Sequence, residues 1–140
     1  MNSMNRRLLM VAAAVTAAAL ARPCCAADAA GSPPEPASIK ASCSHVKSLS
    51  TCRDYTAEAF SVLGEDDQKS SCTAANGVWA AQPCPAAKAV PGACAVGKGR
   101  YERYYADGNI PYKADAAAKD CTGLNSGKWL AAPKPAAPKK

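Results

Sequence analysis

The chain has 140 residues, of which 49% are hydrophobic and 20% charged, with a formal net charge of +6. Residues 1–27 hold Arg6, Arg7 and Arg22 and no acid, so without them 17 − 3 = 14 basic residues face 11 acidic ones, a net charge of +3, part of it on Lys134, Lys139 and Lys140 near the end. A domain so balanced has no electrostatic footprint for nucleic acid, which excludes that class of partner.

The basic start "MNSMNRR", the apolar run Leu8 to Ala21 and the small-residue exit form a signal peptide, with cleavage expected after Ala27. The run falls short of the ~20 apolar residues that a membrane span needs. Cys24 and Cys25 raise lipid anchoring as an alternative, but Ala21-Arg22-Pro23 departs from the aliphatic-then-small context of a lipoprotein signal. A soluble periplasmic or secreted protein is the expectation. Residues 28–40, "DAAGSPPEPASIK", read as a flexible linker, and residues 131–140 as a disordered Pro/Ala/Lys tail. The folded part is then 41–130. Much of its hydrophobic content is alanine, which buries little area, so covalent help is expected.

Six cysteines follow the signal: Cys43, Cys52, Cys72, Cys84, Cys94 and Cys121. An even number in a small exported chain reads as a disulfide framework. No C-x-x-C pair is present and His45 is the single histidine, which argues against a zinc site, a thioredoxin-type redox motif or c-type haem. No cofactor or metal is expected.

The spacing divides 41–130 into unit one, 41–90, and unit two, 91–130. "CTAANGVWAAQPCP" from Cys72 and "CTGLNSGKWLAAPKP" from Cys121 share cysteine, threonine, asparagine, glycine, tryptophan and proline in order. The first cysteines, Cys43 and Cys94, stand at similar distances upstream. We read a tandem repeat of ~45 residues, below the three units that a solenoid needs. In unit one, "GEDDQKSSCTAANG" is a helix with Glu65, Asp66 and Asp67 in its first turn, where the macrodipole favours acids, and Gly77 is its stop. In unit two, "GACAV" and "RYERYYA" flank "GKG" as a hairpin. Ala114, Ala117, Ala118, Cys121 and Leu124 then line one helix face, Gly123 or Gly127 ends the helix, and Trp129 opens a short strand. The fold class is α+β: a small disulfide-stabilised domain of two hairpin–helix–strand units.

Six cysteines allow fifteen pairings. A helix cysteine facing the hairpin in each unit favours Cys43–Cys72 and Cys94–Cys121, which leaves Cys52–Cys84. Unit two lacks a counterpart of both Cys52 and Cys84, as one missing bridge would require. Neighbour pairing, Cys43–Cys52 with Cys72–Cys84, is the rival; it breaks the equivalence of Cys72 and Cys121. On the symmetric scheme unit two, with one bridge fewer, is expected to be the less stable half.

Candidate chemistry is sparse. His45 would have to serve any Ser-His or Cys-His arrangement, yet it follows a structural cysteine on a strand, so no catalytic role is assigned. The Glu65-Asp66-Asp67 run lacks the alternating ligands of a calcium loop. "VGKGR" lacks the spacing of a phosphate loop. Trp79 and Trp129, at equivalent positions, are read as core. Tyr101, Tyr104 and Tyr105 with Arg100 and Arg103 are the best candidate contact surface; strand alternation puts Tyr101, Arg103 and Tyr105 on one face and Tyr104 on the other.

The order Cys43, Cys52-Arg53-Asp54-Tyr55, Cys72, Gly77-Val78-Trp79, Cys84-Pro85, Gly92-Ala93-Cys94, Tyr104-Tyr105, Cys121 and Gly127-Lys128-Trp129 resembles small exported or lipid-anchored proteins of high-GC Gram-negative bacteria. The resemblance spans nearly all of 41–130. It implies location and architecture and carries no catalytic residue. The expected function is a non-enzymatic binding or structural module of the cell envelope, whose partner is an envelope component or a protein. The alternative is a secreted inhibitor or toxin-like effector that presents "GEDDQK" or "ADGNIPY" as a braced loop.

Overall fold

The computed structural model describes residues 31–133. The expected signal peptide, Cys24 and Cys25, and the end of the tail lie outside them. A single 3-10 turn, Pro36–Ser38, leads into β1 (Ile39–His45), α1 (Val46–Leu49), β2 (Thr51–Thr56), α2 (Ala57–Val62), α3 (Glu65–Ala74) and β3 (Val78–Ala80). Unit two supplies β4 (Ala93–Gly97), β5 (Arg100–Tyr104), α4 (Ala114–Gly123) and β6 (Lys128–Leu130). The fold therefore begins at Ile39, inside the segment expected to be a linker. Ile39 is buried, and its apolar side chain is what recruits the segment to the sheet. Helix α2, which follows β2 directly, has no counterpart in unit two.

All six strands form one antiparallel sheet in the order β3-β1-β2-β5-β4-β6. The order is mirrored about the β2–β5 junction: β1 matches β4, β3 matches β6 and α3 matches α4. The register continues this correspondence into the side chains. Trp79 pairs with Cys43, Cys43 with Arg53, Arg53 with Glu102, Glu102 with Cys94, and Cys94 with Trp129. Directly opposed residues share a face. One row therefore runs Trp-Cys-Arg-Glu-Cys-Trp across the whole sheet. Each half contributes a tryptophan, a half-cystine and one member of a central ion pair.

The disulfides are Cys43–Cys72, Cys52–Cys84 and Cys94–Cys121, the symmetric scheme rather than neighbour pairing. All six cysteines are buried, and the other buried apolar residues are mainly alanines and tyrosines. Under α2 and α3, Cys43, Tyr55, Ala59 and Cys72 pack with Phe60 and Trp79. Under α4, Val90, Cys94, Tyr104, Ala117 and Cys121 pack with Tyr112 and Trp129. The opposite face carries a third cluster of Cys52, Cys84 and Tyr105. Half-cystines thus serve as core side chains in every cluster, which suits a sequence whose larger aliphatic residues are partly spent on the surface. Leu49, Val62, Leu63, Val78 and Ile110 are exposed.

Three local expectations are corrected. Leu124 does not join the inward face of α4; it is 86% exposed, because it follows the last helical residue and the chain turns at Ser126 towards β6. Helix α3 is not stopped by the conformational freedom of Gly77. The left-handed residue is Asn76, and Ser126 takes the same place in unit two. Each following glycine donates its N–H to the helix cysteine's carbonyl, Gly77 to Cys72 and Gly127 to Cys121, both at 2.8 Å. The glycines are required for space. A Cβ on Gly77 would lie 2.6 Å from Cys43 Sγ and 2.7 Å from Cys72 Sγ, and one on Gly127 would lie 2.4 Å from Cys94 Sγ. The Gly-x-Trp motif is thus the place where the chain crosses directly over a disulfide. Finally, the third bridge does not belong to unit one alone: Cys84 packs against Tyr105 of unit two, whose hydroxyl donates to Pro85 O at 2.7 Å. The bridge braces the junction, which removes the reason to expect unit two to fray first.

Candidate functional site

The expected contact surface is not formed. Tyr105 is 1% exposed, held behind the Cys52–Cys84 bridge. Arg103 points to the same face and is bound there: its Nε donates to Asp54 Oδ2 at 2.5 Å. Asp54 is itself fully buried and accepts the Cys84 N–H on Oδ1 at 2.7 Å. Tyr101, opposite Asp54 on β2, remains half-buried. Alternation therefore assigned the face correctly. What it does not contain is the 81–92 segment, which the Cys52–Cys84 bridge folds over that face. Arg103, Asp54 and Tyr105 are its anchorage.

The helix face offers a different site. Between α3 and the strands β1, β2 and β5 lies an open cleft of about 410 Å³. Its floor is the central ion pair, Arg53 Nε to Glu102 Oε2 at 2.6 Å. The sequence brings the pair together only through the β2–β5 register, since the two residues are 49 positions apart. The Glu102 side chain is 8% exposed and that of Arg53 36%, so the carboxylate is sunk and the guanidinium faces the opening. Burial works against the Arg53 charge, but the Glu102 carboxylate and its hydrogen bond, with help from the Tyr55 hydroxyl, hold its pKa above the ordinary value. Burial raises Tyr55 above the usual tyrosine range, although the Arg53 charge opposes this. Leu49 and Leu63 give the walls an apolar portion, and Gln68, Ser71 and Thr51 a polar one. Arg100 lines the same cleft and has no carboxylate within ion-pair distance among the described residues.

One end of the cleft is the Cys43–Cys72 bridge with His45 beside it. His45 Nε2 lies 3.3 Å from Cys43 Sγ. A disulfide sulfur carries no proton, so in a hydrogen bond here the ring N–H is the donor. The Nδ1 atom is buried and has no hydrogen-bond partner among the described residues. Among the described residues, no hydroxyl or free thiol hydrogen-bonds to the ring.

A second hollow, about 450 Å³, lies along the β1–β3 edge. It is lined by serines, Val78, Ala80, Pro83 and Pro85, with Lys47 and His45 at its margin. It is the more apolar of the two and carries no ion pair.

Sequence reasoning named Arg100 as a contact residue, which lines this cleft, but missed Arg53, Glu102 and Gln68. The available signal was the alignment of the two units, which sets "CRDY" against "RYER". It shows that the two runs occupy related places, but not that the two hairpins adjoin or that Arg53 meets Glu102. Among the described residues no helix is long and apolar enough to cross a membrane. No family model, curated protein or solved structure matches the chain, so what stands on its own evidence is a three-disulfide α+β domain of the kind that oxidising compartments hold.

Proposed function

We propose that the protein is exported, to the periplasm or beyond, and acts there as a non-enzymatic binding module of the cell envelope, with the helix-face cleft as its binding surface. The observation that carries this reading is the surplus of positive charge in a partly apolar cleft: Arg53 is neutralised by Glu102, while Arg100 beside it is not. A partly desolvated guanidinium favours a carboxylate, which it holds through paired N–H donors. The ligand class is therefore a carboxylate on a short apolar stem, as in acidic peptides or carboxylate-bearing cell-wall fragments. The non-enzymatic part rests on His45, whose ring faces an oxidised sulfur rather than a nucleophile.

The test is amide chemical-shift mapping of the disulfide-intact protein with carboxylate-bearing cell-wall peptides. Shifts should gather at Thr51, Arg53, Gln68, Ser71 and Arg100, and Arg100→Ala should remove them. Shifts confined to the opposite face, or none at millimolar peptide, would end the proposal. Fractionation that finds the protein only in culture supernatant would count against an envelope role.

A second reading, inhibition of a target enzyme, is favoured by one loop. "GEDDQK" is not a loop, since Glu65–Ala74 is helix α3. "ADGNIPY" is one, and it is braced: the Ile110 N–H donates to Ser50 Oγ at 3.0 Å and the Tyr112 N–H to Tyr105 O at 2.8 Å, with the Ile110 side chain outside. Inhibition of a protease panel that is lost in Ile110→Ala would support it.

A further inference from the structure

Gln68 is a polar side chain of the cleft that the free fold leaves unused. It lies on α3, four residues before the helix cysteine Cys72, and is 6% exposed. It lines the cleft together with Arg53, Glu102 and Arg100. Its backbone N–H donates to Gly64 O at 3.2 Å. Among the described residues its side-chain amide makes no hydrogen bond, although a primary amide can both donate and accept. Nor is that amide sealed in. The enclosed side-chain polar atoms without a partner are His45 Nδ1 and Asp107 Oδ1. The amide thus keeps a small contact with solvent, and the cleft is the opening that it lines.

Unit two shows that the architecture does not call for an amide here. The residue four before its helix cysteine is Ala117, fully buried on α4. The surroundings differ in the same sense. Nine residues before the helix cysteine, unit two has Tyr112, whose ring meets Tyr104 edge-on at 4.8 Å. Unit one has Leu63 there, 48% exposed and lining the cleft. One residue before the helix cysteine, unit two has Asp120 and unit one Ser71. The Asn125 amide donates to both Asp120 Oδ2 and Tyr104 OH at 3.1 Å. Polar groups of unit two therefore partner one another, while Gln68 faces an opening. Alanine is at least as good a helix former as glutamine, and a buried amide without a partner costs free energy. The free fold gains nothing from Gln68 that Ala117 does not supply.

We propose that Gln68 determines the specificity of the cleft: its side-chain amide pairs with the backbone amide of a peptide whose carboxylate is held by Arg100. The proposal rests on the carboxylate-binding reading of the cleft given above. A carboxylate is an acceptor only, so by itself it leaves Gln68 Oε1 without a donor. The Gln68 amide carries a donor and an acceptor side by side. An extended peptide residue presents the same pair, N–H and C=O, along one edge. A ligand that fills the cleft displaces solvent from Gln68, and one that cannot replace those hydrogen bonds loses affinity. The cleft therefore selects peptide carboxylates over simple carboxylic acids of equal size, with Leu49 and Leu63 offering apolar surface to small side chains.

The probe is N-acetyl-alanyl-alanine, with two analogues in which one or the other amide N–H is replaced by an ester oxygen. Chemical-shift titration of the full disulfide-intact protein gives their affinities for wild type, Gln68→Ala and Arg100→Ala. Wild type should bind at least one ester analogue about three- to tenfold more weakly than the peptide. Gln68→Ala, which copies unit two, should bind the peptide and both analogues alike. That loss of discrimination, as opposed to a loss of affinity alone, is what a merely structural role would not produce. Arg100→Ala should weaken all the probes together. Equal binding of peptide and analogues by wild type, or discrimination retained in Gln68→Ala, would overturn the role of Gln68 and leave the carboxylate-binding cleft standing. Binding of none of them by wild type would remove both. Should Gln68→Ala fail to fold, the wild-type comparison decides alone.

Discussion

Asp54 is a buried carboxylate that joins two elements, and its replacement by alanine tests the account of the sheet's second face. The residue is fully buried and both oxygens are engaged, Oδ1 by the Cys84 N–H at 2.7 Å and Oδ2 by Arg103 Nε at 2.5 Å. Asp54→Ala removes both acceptors and leaves two donors without partners. A buried N–H left unsatisfied costs about 1–3 kcal/mol. Breaking a buried ion pair from one side costs about 3–5 kcal/mol. The Arg103 side chain keeps 19% exposure, so part of its charge can turn to water and the lower end of that range applies. The two terms share one site and do not add in full. The expected loss is about 4 kcal/mol. Asp54→Asn, which retains an oxygen for Cys84 and loses the charge, should cost about 2 kcal/mol. Urea unfolding with the three disulfides intact measures both, and hydrogen exchange should show that Cys84 N–H loses protection in the alanine variant but keeps it in the asparagine variant. A loss under about 1 kcal/mol for Asp54→Ala, or unchanged exchange at Cys84, would refute the claim that this carboxylate anchors the covering segment.

Three further outcomes are expected. Pairwise cysteine-to-alanine replacement should cost about 3–4 kcal/mol for each bridge in the chain-entropy model; the separations of 29, 32 and 27 residues are too similar for loop length to rank them, and a bridge whose loss costs under about 1 kcal/mol, measured by chemical denaturation, would contradict this. Glycine-to-alanine changes in the same turn region should have opposite signs: Gly127→Ala forces a Cβ against Cys94 Sγ and should destabilise by about 1–3 kcal/mol, whereas a Cβ on Gly123 meets nothing within 4 Å and should stabilise by a few tenths to about 1 kcal/mol, both read as shifts in denaturation midpoint. Stability should fall at alkaline pH, because burial, reinforced by Asp120 at Tyr104 and by Asp54 at Tyr105, raises both folded-state pKa values above the ordinary tyrosine value. A raised folded-state pKa means that the contribution is complete below about pH 10 and is lost as pH rises beyond it, by up to about 1.4 kcal/mol per pH unit for each tyrosine. Unfolding free energies on either side of that value check it, and a flat profile would show that the phenols ionise without cost to the fold.

The β4–β5 hairpin, both ten-residue helices and the disulfide pairing could be reasoned from the chain because each leaves a local or repeated signal: a glycine-bearing turn, acids at a helix start, cysteines at matched offsets. Ile39 reads as linker from the sequence, since a lone apolar residue near prolines has no periodicity to mark it. Helical spacing puts Leu124 on a buried face because it does not say where the sheet beneath a helix ends. In sequence the glycines of the Gly-x-Trp motif look like helix stops, a conformational role, whereas their neighbours in space are sulfur atoms.

Tertiary structure alone decided how the units meet. The matched cysteine offsets lead to an expectation of two similar hairpins, and two such hairpins can adjoin through either edge or not at all. Pairing β2 with β5 sets Arg53 beside Glu102, makes one six-stranded sheet and opens the cleft above the ion pair. The same pairing puts Asp54, Arg103 and Tyr105 together on the other face, where the Cys84 segment covers them. None of these contacts is near in sequence, and none follows from hydrophobic period or charge pattern. They arise because strand register converts separations of about fifty residues into distances of a few ångströms. Covalent architecture was therefore legible from cysteine spacing and internal symmetry, while the cleft and its charges exist only through the register of the central strand pair.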